Sequence, residues 1–320
     1  MGTLLQLDSL KKYFPILSGF IRKKVVELKA VDGVSFAIEE GETFGLVGES
    51  GCGKTTIGKL LLKLYEPSSG NILFRGRDIT RLSGGSLDQY RNEIQAVFQN
   101  PYASLNGRMR IWRIIAEPLI VKGWATGRVK EKVAELLELV MLPTDCGPRF
   151  PHEMSAGQRQ QIAIARALSI NPKFIVLDEP TSLLDVSAQA SILNLIVNLQ
   201  KKLGLTYLFI SHNLAVVRFL SNRVGVMYCG KLVEMAKSRT LYVSPKHPYT
   251  QALLASVPVP DPESQAKEIV LEGDVISPIN PPKGCRFSPR CQQYRKGCEE
   301  KEPPLLEMEP GHFVACHLFS

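Results

Sequence analysis

Gly48-Glu49-Ser50-Gly51-Cys52-Gly53-Lys54-Thr55-Thr56 carries the strongest local signal in the sequence. Gly48, Gly53, Lys54 and Thr55 carry the spacing of a phosphate-binding loop, in which glycines let backbone amides converge on phosphate oxygens. Lys54 supplies a point charge to the terminal phosphates, and the Thr55 hydroxyl is placed to ligate Mg2+. The apolar run Thr43 to Val47 directly precedes the loop and reads as a buried strand. A helix from about Thr56 follows and adds its positive N-terminal end. A chance glycine-rich turn would not be expected to carry the complete spacing directly after an apolar strand.

Outward from this loop, Phe174 to Leu177 and Tyr207 to Ile210 are further apolar runs too short for helices, each followed by helical patterning. That alternation implies an α/β fold with a mainly parallel sheet and crossover helices. Between Arg128 and Met141, apolar Val133, Leu136, Leu137, Val140 and Met141 fall on one helical face, which places a helical insert at about 100–170. After about Val243 the texture changes to a Pro-rich stretch with Pro245, Pro248, Pro258, Pro260 and Pro262, read as an irregular extension over 244–320 attached to a main domain over 1–243.

Composition sets the outer bounds. The chain has 320 residues, 44% apolar and 22% charged, so it can bury a sizeable core and does not have the composition of a disordered protein. Its 39 Lys and Arg exceed 31 Asp and Glu by 8, but they are dispersed, as on a solvated surface, and nucleic acid is not the expected partner. No apolar run approaches the roughly 18 residues a spanning helix needs, and the N-terminus lacks the apolar core of a signal peptide. A cytoplasmic location is expected, with any membrane role supplied by other chains.

Phe174-Ile175-Val176-Leu177-Asp178-Glu179 delivers two consecutive carboxylates at a strand end. Asp178 is expected to hold Mg2+ through water and Glu179 to polarise an attacking water. His212 follows a later strand, where an imidazole could reach the γ-phosphate. A single His carries little alone; its neighbours in the pattern give it weight.

Met154-Ser155-Ala156-Gly157-Gln158, leading into QIAIARAL, resembles the LSGGQ signature of ATP-binding cassette (ABC) proteins. Ser155 and the amides of Ala156 and Gly157 at a helix start make an anion site with no phosphate of its own. In that family the signature closes over ATP held by a second subunit. The resemblance extends over nearly the whole chain: Gln99 fits the Q-loop, which senses Mg-ATP and contributes to the Mg2+ site, Ser182-Leu183-Leu184-Asp185 the D-loop, and His212 the switch histidine. Phe14, or adjacent Tyr13, sits where family members stack a ring on adenine. Two departures stand out, Met154 for Leu and Ala156 for the first signature Gly; a methyl at Ala156 would crowd the approach to the γ-phosphate. The strings QNPYASLNGRM (Gln99 to Met109) and SPKHPYTQALL (Ser244 to Leu254) resemble the branch serving oligopeptide and dipeptide importers. That resemblance implies an ATPase at the cytoplasmic face of the membrane, paired with a similar but distinct ATPase, two permease subunits and an external solute-binding protein. Oligosaccharide or nickel import, or a soluble non-transport ATPase, are the alternatives.

Of seven cysteines, Cys285, Cys291, Cys298 and Cys316 crowd the tail, with five, six and seventeen residues between them. In a reducing compartment they read as metal ligands rather than bridges. Four thiolates suit Zn2+ or a four-iron cluster equally in count, and the spacing lacks CxxC pairs. The importer resemblance includes members with a [4Fe-4S] cluster at such a tail, which makes the cluster the expectation and Zn2+ or free thiols its alternatives. His312 and His317 are read as bystanders, and Cys52, Cys146 and Cys229 as packing residues.

Overall fold

The computed structural model describes residues 2–18, 24–256 and 276–320. The chain divides into two compact units, one built from Met1–Glu39, Thr43–Arg81 and Ile210–Ser320, the other from Glu40–Glu42 and Leu82–Phe209.

In the first unit, strands Thr3–Ser18 and Lys24–Glu39 pair antiparallel, and Ser69–Phe74 and Arg77–Asp78 extend this sheet. The sequence reading does not anticipate it. Register shifts between Leu7 and Leu10 and between Lys12 and Tyr13, with Ser9 at φ 47°, break the strict alternation by which a strand is recognised. A second set of strands runs in the order Leu306–Glu309, His312–Val314, Lys231–Lys237, Arg223–Tyr228, Thr43–Val47. Only the last two of these are parallel. Every residue of Thr43–Val47 is buried, as expected of a strand covered on both faces. Helix Lys54–Leu61 starts immediately after the glycine-rich loop, two residues earlier than the sequence suggests, because Gly53 at φ 109° turns the chain into it.

In the second unit, Ile94–Val97 and Phe174–Asp178 pair in parallel, and Thr206–Ile210 lies beside Phe174–Asp178. Helices Ile111–Val121, Thr126–Leu139, Ala156–Leu168 and Val186–Leu203 surround these strands in sequence. Val129, Val133, Leu136 and Leu137 form the buried stripe of Thr126–Leu139. Met141 departs from the expected face: it lies past the helix end at φ 60° and is 57% exposed. Among the described residues no helix is long and apolar enough to cross a membrane.

The C-terminal part of the chain is built into the first unit. Pro258, Pro260 and Pro262 lie outside the described residues, but Pro248 opens helix Pro248–Ala255 at a position where a missing N–H costs nothing. Further on, Lys29 N–H donates to the Pro278 carbonyl (3.1 Å) and Ala315 N–H to the Val233 carbonyl (2.8 Å). Phe287 is 2% exposed, with its ring 5.3 Å from both Tyr228 and Tyr249. Glu234, fully buried, accepts from Lys246 N–H (2.8 Å) and His247 N–H (3.0 Å) and lies 2.7 Å from His312 Nε2.

His247 caps Pro248–Ala255, its Nδ1 accepting from Tyr249 N–H at 3.0 Å. Burial depresses its pKa to about 3. The unfolded chain therefore binds a proton near the ordinary histidine pKa that the folded chain refuses. Stability should fall as pH drops below about 6.5, by up to about 1.4 kcal/mol per pH unit from this residue. Thermal melts from pH 7 to 5 should show a steeper decline for the wild type than for His247→Gln, and equal slopes would exclude His247 as the source.

Candidate functional site

In the first unit, the glycine-rich loop is held by close backbone approaches. Gly48 and Gly53 sit at φ 147° and 109°, and a Cβ there would lie 2.1 Å from the Met227 carbonyl oxygen and 2.2 Å from that of Ala30. No other residue type fits either constraint. Lys54, 5% exposed, donates from Nζ to the carbonyls of Gly48 (2.6 Å) and Glu49 (2.9 Å) and lies 3.4 Å from Cys52 Sγ. Cys52 is buried, and burial pushes its thiol pKa up. Ser50, Gly51 and Thr55 are exposed and Glu49 and Thr56 half-buried, so the loop presents its outer rim to solvent.

The aromatic pair near the N-terminus has split roles. Phe14 meets Tyr65 edge-on at 5.3 Å with Lys12 Nζ 5.0 Å from its ring centre, leaving it half-buried. Tyr13 instead donates its hydroxyl to Asp32 Oδ1, and burial followed by that hydrogen bond raises its pKa. His212 is exposed, just beyond Ser211, whose Oγ accepts from Asn213 N–H at 3.0 Å.

In the second unit, Asp178 is 8% exposed and closes its strand. Glu179 follows at φ 49°, a left-handed conformation that a residue with a Cβ adopts at a cost. Its carbonyl accepts from Ser182 N–H (3.3 Å) and Ser182 Oγ (3.1 Å). Gln99 Nε2 donates to Glu179 Oε2 at 2.9 Å. Two residues nominated separately from sequence, eighty positions apart, are thus in direct contact.

Ser155 and Gln158 form a reciprocal cap at the start of Ala156–Leu168: Gln158 N–H donates to Ser155 Oγ (3.2 Å), and Ser155 N–H to Gln158 Oε1 (3.0 Å). Met154 is buried and fills the place of a leucine. Asp185 caps Val186–Leu203, accepting from Ala188 N–H at 2.8 Å. Gly157 and Ala188 meet: a Cβ on Gly157 would stand 3.2 Å from that of Ala188. The sequence reading missed Arg159, whose guanidinium lies 3.8 Å from the Tyr102 ring centre while Nε donates to the Pro151 carbonyl (2.6 Å). It also missed Asp32, Tyr249, Arg286 and Arg290 in the first unit, although the string Ser244 to Leu254 contains Tyr249.

Comparison with known proteins shows the family. Residues 31–182 match the family described as ABC transporter, and residues 233–298 match the oligopeptide/dipeptide transporter C-terminal region. The chain is 53% identical, over 99% of its length and 98% of the other's, to the oligopeptide transport ATP-binding protein AppF of Bacillus subtilis (strain 168). The chain belongs to the ABC transporter family. It is 52% identical to a second Bacillus subtilis (strain 168) protein, the putative oligopeptide transport ATP-binding protein YkfD, over 99% of this chain and 95% of that one. Among solved structures, cbiO1 of Clostridium perfringens, part of the ABC transporter complex cbiONQ, superposes with TM-score 0.66 at 25% identity over 76% of this chain and 92% of that one. The ATP-binding cassette MJ0796, dimeric, post-hydrolysis and bound to ADP and Pi, gives TM-score 0.65 at 27% identity over 74% and 99%. The α/β fold of this ABC ATPase and its capacity to bind ATP follow from these matches.

The iron–sulfur expectation is corrected. Among the described residues, which include Cys285, Cys291, Cys298 and Cys316, no three His, Cys, Asp or Glu side chains are grouped so as to hold a metal ion. The whole-length relatives carry the names of plain ATP-binding proteins. Burial pushes the Cys285 thiol up to about 11 and raises those of Cys291 and Cys316 as well. The same findings remove the support for Zn2+. The tail is fastened by other means, in that Arg286 donates to Asp32 and to the Cys229 carbonyl, and Phe287 fills an aromatic cluster.

The Gly157–Ala188 contact yields a test. Gly157→Ala should cost about 1 kcal/mol or more in urea unfolding, by overpacking against the Asp185-capped helix, and Ala188→Gly in the same chain should recover it. A single variant as stable as wild type would show that the helices yield freely there.

Proposed function

We propose that this ABC ATPase hydrolyses Mg-ATP to drive uptake of di- or oligopeptides through partner permeases at the cytoplasmic face of a membrane, working beside a second, similar ATPase and an external solute-binding protein. The peptide assignment is supported by whole-length similarity to an oligopeptide transport ATP-binding protein and by the match of residues 233–298. On this reading, 1–243 is the ATP-binding domain with a helical insert at about 100–170, and 244–320 its extension.

The hydrolytic reading is carried by one observation, the carboxylate of Glu179 anchored by Gln99 on a strained backbone. A general base must be aimed, and strain held by surrounding contacts is a common cost of aiming it. Glu179 accepts a proton from the attacking water, while the Gln99 amide keeps its oxygen in register. Lys54, now bonded to loop carbonyls, carries the ammonium that would turn to the β- and γ-phosphates. The loop amides from Gly48 to Thr56 receive the phosphate oxygens, and Phe14 or Tyr13 offers a ring to adenine. Thr55, Gln99 and Asp178 are hard oxygen donors of the kind Mg2+ takes; when bound, the ion neutralises phosphate charge. His212 holds the γ-phosphate. Ser155, with the amides of Ala156, Gly157 and Gln158, serves the nucleotide of the partner ATPase, and Asp185 supports that face by capping the helix beside it.

In the assembled transporter, Glu179→Gln should retain ATP binding and slow turnover by roughly 10² or more. Peptide uptake into vesicles should stop with it. Hydrolysis at the wild-type rate would remove Glu179 from the role of base, and ATP turnover that no peptide substrate stimulates would remove the transport assignment.

A further inference from the structure

Glu49 is the loop residue whose every polar group is engaged from within the first unit. Its carbonyl accepts from Lys54 Nζ (2.9 Å), and its N–H donates to Tyr249 Oη (2.9 Å). Its carboxylate is gripped by both terminal nitrogens of Arg290, at 2.8 and 3.2 Å. Such a fork fixes orientation as well as charge. The Arg290 side chain is 6% exposed and that of Glu49 22%, so solvent screens the pair only in part. Tyr249 is fully buried, 4.7 Å from Tyr228 and 5.3 Å from Phe287, which leaves its hydroxyl little freedom. Both anchors belong to the C-terminal part of the chain, Tyr249 in Pro248–Ala255 and Arg290 at the end of the turn Ser288–Arg290.

We infer that Arg290 is a positioning residue for ATP: through Glu49 it sets the conformation and local charge of the phosphate loop, so that the C-terminal extension acts on nucleotide affinity in the same chain. The inference rests on the phosphate-loop reading of residues 48–56. Its physical core is that a carboxylate in a loop built for a polyanion is tolerable only when a cation neutralises it. Arg290 does so from a buried position, while Tyr249 fixes the backbone at the same residue. Lys54 leans on the same peptide, so a shift at Glu49 moves the seat of the phosphate-binding ammonium.

The test is equilibrium titration of the purified full chain with a fluorescent ATP analogue, alongside thermal melts without nucleotide. Arg290→Met strips the neutralising charge and should weaken binding about tenfold, the scale of one charged hydrogen-bonded contact. Adding Glu49→Gln should recover most of the loss, because the unmatched carboxylate is then gone. Arg290→Lys keeps the charge without the fork and should lie between, with a melting midpoint near wild type; it carries the test should Arg290→Met not fold. Wild-type affinity in a folded Arg290→Met, or in Arg290→Lys if that alone folds, overturns the inference, as does a double variant no better than the single. Lys54→Ala separates the two levels. If it abolishes binding while the Arg290 variants bind normally, only the inference fails; if it binds normally, the phosphate-loop reading fails and takes the inference with it.

Discussion

Asp32 is a buried carboxylate, and much of the first unit is arranged around that fact. Burial alone would push it to take up a proton. Tyr13's hydroxyl, then Lys231 and Arg286, outweigh burial and hold its pKa low. Lys231 reaches it at 3.5 Å while binding Glu302 at 2.6 Å. Removing one member of such a network would strand a charge away from water, which typically costs several kcal/mol. The requirement for Arg286 fixes the segment from Cys285 to Cys291 in place. Four residues later the same segment supplies Arg290 to Glu49. The N-terminal strand carrying Tyr13 and the loop carrying Glu49 are therefore held by one short piece of chain, through ion pairs as well as through the packing of Phe287.

The legible parts of the sequence are those where one local pattern suffices. The loop at Gly48 to Thr56, the buried strand before it and the carboxylate-bearing strand at Phe174–Asp178 each announce themselves through composition and spacing. The capping pair Ser155 and Gln158 is also visible, since its partners stand three residues apart. The Gln99–Glu179 contact is less accessible: Glu179 follows from the carboxylate pair at its strand end and Gln99 from the family resemblance, and nothing local says that they touch. The antiparallel pairing of Thr3–Ser18 with Lys24–Glu39 was hidden by bulges that shift which residues face inward. Met141 was misplaced because helical periodicity does not report where a helix stops.

The tail is deceptive in sequence for a related reason. Its cysteines are conspicuous in a linear reading, and counting thiols suggests a metal where the described residues show no group able to hold one. The residues that fasten the tail lie between those cysteines, and two of them are arginines. Arginine is almost never buried without a partner, so from sequence alone it is assigned to solvent. The partners, Asp32 and Glu49, are 254 and 241 positions away. A contact of that range leaves no periodicity, and only the folded backbone reveals it.

Both units share one physical problem, that of keeping functional backbone in conformations the chain would otherwise leave. Glycine lets the loop adopt φ values of 147° and 109°, but it also enlarges the unfolded ensemble that must be given up. Glu179 at φ 49° has the opposite difficulty, since its side chain disfavours the geometry its position demands. The solution is alike in the two cases: neighbouring polar groups that belong to no regular hydrogen-bond ladder. Ser182 and Gln99 restrain Glu179; Tyr249, Arg290 and Lys54 restrain Glu49. Ordering accomplished by the fold need not be repeated when a ligand arrives, and that preorganisation raises affinity without any added contact to the ligand. A C-terminal segment that holds the loop at Glu49 can in this way govern how firmly the loop holds phosphate.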